Sequence, residues 1–229
     1  MIDFVSSDDA SQALVGIGCF AVAKKDGTQR LVLDCRPSNC YFGVPPSTRL
    51  PTAASHAKVQ IPAGETLYSA QFDFRNAFYQ IGLPVCLRPY FCLPRIRAAH
   101  VGVTHCSGRL VKPHEYITPR MCVMPMGWSH ALHWCQLLHA RIISTALPEI
   151  PLLDDDSLIT PLDQSNCIAS VYVDNFGVEG VNCDLVRDAY WRAHRAIKEK
   201  GLAVHDEVEL TEGLELLGLV INGQGKGHI

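Results

Sequence analysis

The sequence predicts an α+β fold, an antiparallel sheet backed by helices, and three observations carry that expectation. Residues 67–73 (LYSAQFD) alternate apolar with polar, the period of a half-buried strand. Residues 167–181 (CIASVYVDNFGVEGV) hold two apolar runs that meet at Asp174-Asn175, the pattern of a hairpin with a tight tip, and Asp-Asn tolerates the left-handed backbone such a tip needs. Residues 127–146 and 184–200 read as long helices; after Gly127 neither has an internal Gly or Pro, and the second spaces Val186, Ala189, Ala193 and Ile197 along one face.

Taken in chain order, 17–23 and 30–35 are apolar runs joined by KKDGTQ, so Asp26-Gly27 predicts a hairpin with a basic tip. Residues 37–62 are rich in proline and weakly periodic, which predicts loop with one short helix at 52–58. After the 67–73 strand, RNAFYQI is helix-compatible up to Gly82 and Pro84, predicting a helix over about 74–81. Residues 85–122 predict two or three strands between loops. The 184–200 helix is expected to start with Asp184 as N-cap and to stop at Gly201. Two final strands fit 202–209 and 215–221.

The 229 residues, 48% hydrophobic and 19% charged, suffice for one large domain or two lobes. A formal net charge of −3 gives no overall attraction to nucleic acid, so any such role rests on local basic patches. Ten scattered cysteines without a C-x-x-C pair point to a reducing, intracellular compartment rather than a disulfide scaffold. No apolar run approaches the roughly 20 residues that span a bilayer, so no membrane partner is expected. His130 and His133 share a helical face, but His139 lies elsewhere and no cysteine pair completes a tetrahedral zinc set. Asp154-Asp155-Asp156 reads as an exposed loop, and the basic residues of 187–200 as the solvated face of their helix.

The residues with chemical promise are Asp73, where strand becomes helix, and Asp174, at the hairpin tip about a hundred residues later. Two carboxylates on neighbouring central strands can hold divalent ions about 3.5–4 Å apart. Each residue also has a plain structural reading. Asp73 can cap a helix, Lys24 and Lys25 can be a solvated hairpin tip, Phe78 a core aromatic, Gly127 a helix-start glycine, and Tyr172 a strand aromatic.

The order of the motifs adds a resemblance. KKDGTQRLVLDCRPSN, QFDFRNAFYQIGLP, MPMGWSHALHWCQ, VYVDN, GLAVHDEVE and LELLGLVI resemble, in sequence, the motifs of reverse transcriptases of the retroviral and long-terminal-repeat retrotransposon type. They cover roughly residues 17–222, nearly the whole chain. The resemblance implies a polymerase of right-hand architecture, with fingers over 1–66 and 84–120 and palm over 67–83 and 121–229. Because the chain ends eight residues after the last motif, it also implies no thumb.

Carried over by position, Asp73 and Asp174 are the implied ligands of two Mg²⁺ or Mn²⁺ ions, with Asn175 beside them in the catalytic hairpin. Lys24 and Arg30 are implied to hold the triphosphate, Phe78 to exclude a ribose 2′-hydroxyl, Met126 and Gly127 to line the nucleotide, and Tyr172 to touch the primer end. The implied partners are an RNA or DNA template with primer and deoxynucleoside triphosphates. Two departures stand out: Asn175 replaces the family's second aspartate, and Met126 replaces its usual glutamine. They keep a second expectation open, an eroded relative that binds nucleic acid without polymerising.

Overall fold

In the computed structural model, residues 1–6, 9–23, 27–158, 160–216 and 219–221 are described. They form two compact units, Met1–Pro46 with Phe78–Ala131, and Ser47–Ala77 with Leu132–Ile229.

The second unit is built on a five-stranded sheet in the order Leu152–Leu153, Cys167–Tyr172, Asn175–Gly180, Tyr68–Phe74, Val204–Glu212. All neighbours are antiparallel except the short edge strand Leu152–Leu153, which pairs in parallel with Cys167–Tyr172. The alternation of YSAQFDF decides the two faces: Ala70, Phe72 and Phe74 are buried on one, and Ser69, Gln71 and Asp73 lie on the other.

Phe72 stacks on Phe176 at 4.6 Å between ring centroids and meets Tyr190 edge-on at 5.8 Å. Phe74 lies flat on His139 at 3.7 Å. The helices Cys183–Glu199 and Ala131–Ala146 therefore cover the same apolar face. In Cys183–Glu199, the buried Val186, Ala189, Tyr190, Ala193, His194 and Ile197 recur at the helical period. Its outer charges pair locally, Arg187 with Asp184 at 3.1 Å and Arg192 with Asp188 at 3.4 Å.

The first unit holds a three-stranded sheet, Ile2–Ser6, Tyr116–Met121 and Ile96–Arg97, and a separate two-stranded ribbon, Gly18–Ala23 with Gln29–Asp34. Arg120, only 5% exposed, is held by the Asp3 carboxylate through two bonds of 2.9 Å and by Gln12 at 2.8 Å. A buried guanidinium so enclosed is compensated rather than stranded.

Several expectations need correction. The helix expected over about 74–81 is a single turn, Ala77–Gln80, because Phe74 stays in the strand and Asn76 takes a left-handed φ of 50°. The helix expected from 127 begins at Ala131, since Gly127 at φ 117° lies outside any right-handed helix. The cap of the 183–199 helix is Asn182, whose side chain accepts from the Asp184 and Leu185 amides, not Asp184. Gly201 follows it in the left-handed conformation expected of a helix-ending glycine. All ten cysteines are unbridged, and among the described residues no helix is long and apolar enough to cross a membrane.

Candidate functional site

Asp73 is the next-to-last residue of its strand and lies opposite Asn175 on one neighbour and His205 on the other. Asp174 occupies the turn between Tyr172 and Asn175, which pair with each other. The Phe74 amide donates to the Asp174 carbonyl at 2.7 Å, so the backbone itself ties the turn to the Asp73 strand. Both carboxylates thus belong to one end of one sheet.

Burial, and then the Asp174 charge, raise the Asp73 carboxyl above its ordinary range, while His205 pulls it back down. Two anions placed together by backbone bonds rather than by mutual attraction favour a cation. Their hard oxygen donors fit Mg²⁺ or Mn²⁺.

The turn is unusual. Its left-handed residue is Val173, at φ 53°, not the Asp-Asn pair that sequence reasoning assigned to that conformation. A β-branched residue there is strained by about 1–3 kcal/mol and persists only where its surroundings over-determine it. The Ala131–Ala146 helix does this. Gln136 accepts from the Val173 amide at 2.7 Å and donates to the Val171 carbonyl at 2.8 Å. His139 Nδ1 is 2.6 Å from the Val173 carbonyl, and burial lowers the pKa of this histidine, leaving a neutral ring with its Nδ1–H donating. Cys135 adds a thiol contact at 3.8 Å. Asn175 turns its amide onto Asp174, with Nδ2 donating to Oδ1 at 3.1 Å. Tyr172 is half-buried.

The residues expected to hold a nucleotide lie in the first unit. Arg30 is exposed on the Gln29–Asp34 strand, Met126 is 46% exposed, and Phe78 is half-buried in the one-turn helix. Lys24 lies outside the described residues. Gly127 is held at close quarters: its carbonyl accepts from Asn39 Nδ2 at 3.0 Å, and Asn39 Oδ1 accepts from the Ser129 amide at 2.9 Å. A Cβ on Gly127 would come within 2.7 Å of the Leu33 carbonyl oxygen. Gly127→Ala is therefore expected to cost about 1–3 kcal/mol from strain and overlap, read as a lower denaturant midpoint at unchanged slope.

Sequence reasoning missed four residues of the second unit. Gln136 and His139 stood as polar residues within the apolar run HWCQLLHARII, a signal of a helix face that bonds to something buried. His205 and Asp206 were read only as part of the 202–209 strand and of the GLAVHDEVE motif, without a role of their own, yet Asp73, His205 and Asp206 each place a ligand atom within 4.8 Å of the others.

No family model and no curated protein matches the chain. Among solved structures, the chain is similar to the foamy viral protease–reverse transcriptase in complex with double-stranded DNA, with a TM-score of 0.62 at 16% identity, covering 97% of this chain and 31% of that one. It is also similar to the native prototype foamy virus protease–reverse transcriptase, TM-score 0.56 at 15% identity over 88% of this chain and 21% of that chain. A selenomethionine-labelled mutant of the same protein matches with TM-score 0.55 at 16% identity over 84% and 20% respectively. The fold is reverse-transcriptase-like, and the chain spans less than a third of the length of these neighbours.

Proposed function

We propose that the chain is the fingers and palm core of an RNA-directed DNA polymerase of a retroelement, with fingers over 1–66 and 84–120 and palm over 67–83 and 121–229. The observation that carries this reading is the placement of Asp73 and Asp174 at one end of one sheet, on a fold similar to reverse transcriptases. Divalent ions, when bound there, supply charge that stabilises the attacking and leaving oxygens of an in-line phosphoryl displacement.

The chain's own residues do the rest. Asp73 and Asp174 hold the positive charge in place, and the clamped Val173 turn fixes Asp174 in advance, so little reorganisation is needed when charge develops. Asn175 restrains the Asp174 carboxylate through its amide. Lys24 and Arg30 are assigned to the triphosphate, as point charge and forked donor respectively. Phe78 is assigned to the sugar, favouring deoxynucleotides, Met126 and Gly127 to the nucleotide, and Tyr172 to the primer end.

Primer extension on RNA and DNA templates with Mg²⁺ or Mn²⁺ tests the reading. Template-dictated extension that requires the ion is the expected result. Salt-sensitive binding to primer–template without extension would instead favour a nucleic-acid-binding relative that has lost the chemistry.

A further inference from the structure

The hairpin offers one carboxylate, because Asn175 is an amide whose nitrogen is committed to Asp174. The opposite flank of Asp73 is richer in donors. Val204–Glu212 pairs with the Asp73 strand at Val204↔Phe74, His205↔Asp73 and then Val208↔Gln71. From His205 to Val208 this strand advances three residues while its partner advances two, so one extra residue bulges out.

Adjacent residues of an unbroken strand point to opposite faces. Here the bulge, with Asp206 at φ 50°, lets His205 and Asp206 both reach the Asp73 carboxylate. His205 Nδ1 lies 3.2 Å from the Asp73 main-chain carbonyl. That oxygen can only accept, so Nδ1 carries the proton and Nε2 keeps its lone pair, 3.8 Å from the Asp206 carboxylate. An imidazole oriented through one nitrogen by a carbonyl, with the other left beside a carboxylate, is how proteins prepare a histidine for metal.

We infer that Asp73, His205 and Asp206 form a divalent transition-metal site in which His205 Nε2 is a ligand, so that the chain binds Mn²⁺ in preference to Mg²⁺. A nitrogen ligand favours the softer, later ion over Mg²⁺, which takes oxygen donors and sheds water reluctantly. The side chains of His205 and Asp206 are 45% and 78% exposed, which leaves coordination positions open to water or substrate. The inference rests on the polymerase reading for the use of the ion, not for its binding.

The test is Mn²⁺ binding to the full chain without nucleic acid, followed by electron paramagnetic resonance. Imidazole nitrogen modulation in the electron spin echo reports direct ligation. The unsubstituted chain is expected to bind Mn²⁺ with nitrogen modulation and to release it only at a large excess of Mg²⁺. His205→Ala is expected to abolish the modulation and weaken Mn²⁺ binding by about tenfold or more, and Asp206→Asn to weaken it by a similar factor. If His205→Ala fails to fold by circular dichroism, His205→Gln and the unsubstituted chain's own nitrogen signal decide instead.

Absence of Mn²⁺ binding, or binding without nitrogen modulation and unchanged in the His205 variants, overturns the inference. Primer extension separates the two readings. Ion-dependent extension without a nitrogen signal removes His205 and leaves the polymerase standing, whereas a nitrogen signal without extension does the reverse.

Discussion

Asp174→Ala is expected to lower templated nucleotide incorporation by about 10³-fold or more while leaving the unfolding midpoint in place. The factor follows from losing one of the two carboxylates proposed to hold charge against the reacting oxygens, an effect of about 4 kcal/mol. Stability should be spared because what Asp174 contributes to the fold is its main-chain carbonyl, which accepts from Phe74, and alanine keeps that bond. Its side chain is exposed in the turn, and its charge works against Asp73 rather than for it. Single-turnover incorporation beside a thermal melt checks both halves. A variant that melts early and loses activity in proportion would make Asp174 a structural residue.

Gln136→Leu is expected to be the most destabilising single change at the hairpin, at about 2–6 kcal/mol. Leucine fills similar space, so the loss is polar. The Val171 carbonyl and the Val173 amide would both lose their partner inside the sheet-helix layer, at about 1–3 kcal/mol for each buried group left unpaired. The consequence reaches the chemistry, because Val173 carries the strained φ and Asp174 follows it directly. With the amide released, the turn relaxes and the carboxylate loses its fixed position. Incorporation should therefore fall further than unfolding alone explains, measured at a temperature where the variant remains folded. Gln136→Glu separates the two bonds, since a carboxylate still accepts from the Val173 amide but no longer donates to Val171.

The parts of the fold legible in the sequence are those in which a local pattern and the tertiary environment agree. Alternation in LYSAQFD was enough to find the Asp73 strand, which runs Tyr68–Phe74, and the 3.6-residue repeat from Val186 to Ile197 found its helix. The two-residue strands Ile96–Arg97, His105–Cys106 and Arg109–Leu110 were not separable within 85–122, because a pair of residues has no period and is defined only by its partner strand.

The site divides the same way. Asp73 and Asp174 were singled out through their motifs and their place at strand ends, and the structure puts both at one end of one sheet. The left-handed turn was expected, but it fell one residue early, at Val173 rather than Asp-Asn, because Gln136 and His139, distant in sequence, set it against local preference. His205 and Asp206 escaped for a related reason: neighbours in a strand are read as facing apart, and only the bulge in register against Asp73 brings them together.

The proposed function assigns metal-dependent, templated DNA synthesis to this sheet end. Single-turnover incorporation of one templated deoxynucleotide, across a titration of Mg²⁺ and Mn²⁺ and with primer–template binding followed in parallel, tests it most directly. The expected result is no incorporation without a divalent ion, incorporation rising as the ion is added, and loss of incorporation but not of binding in Asp73→Asn. Primer–template binding with no incorporation at any ion concentration, or incorporation indifferent to Asp73→Asn, would contradict it.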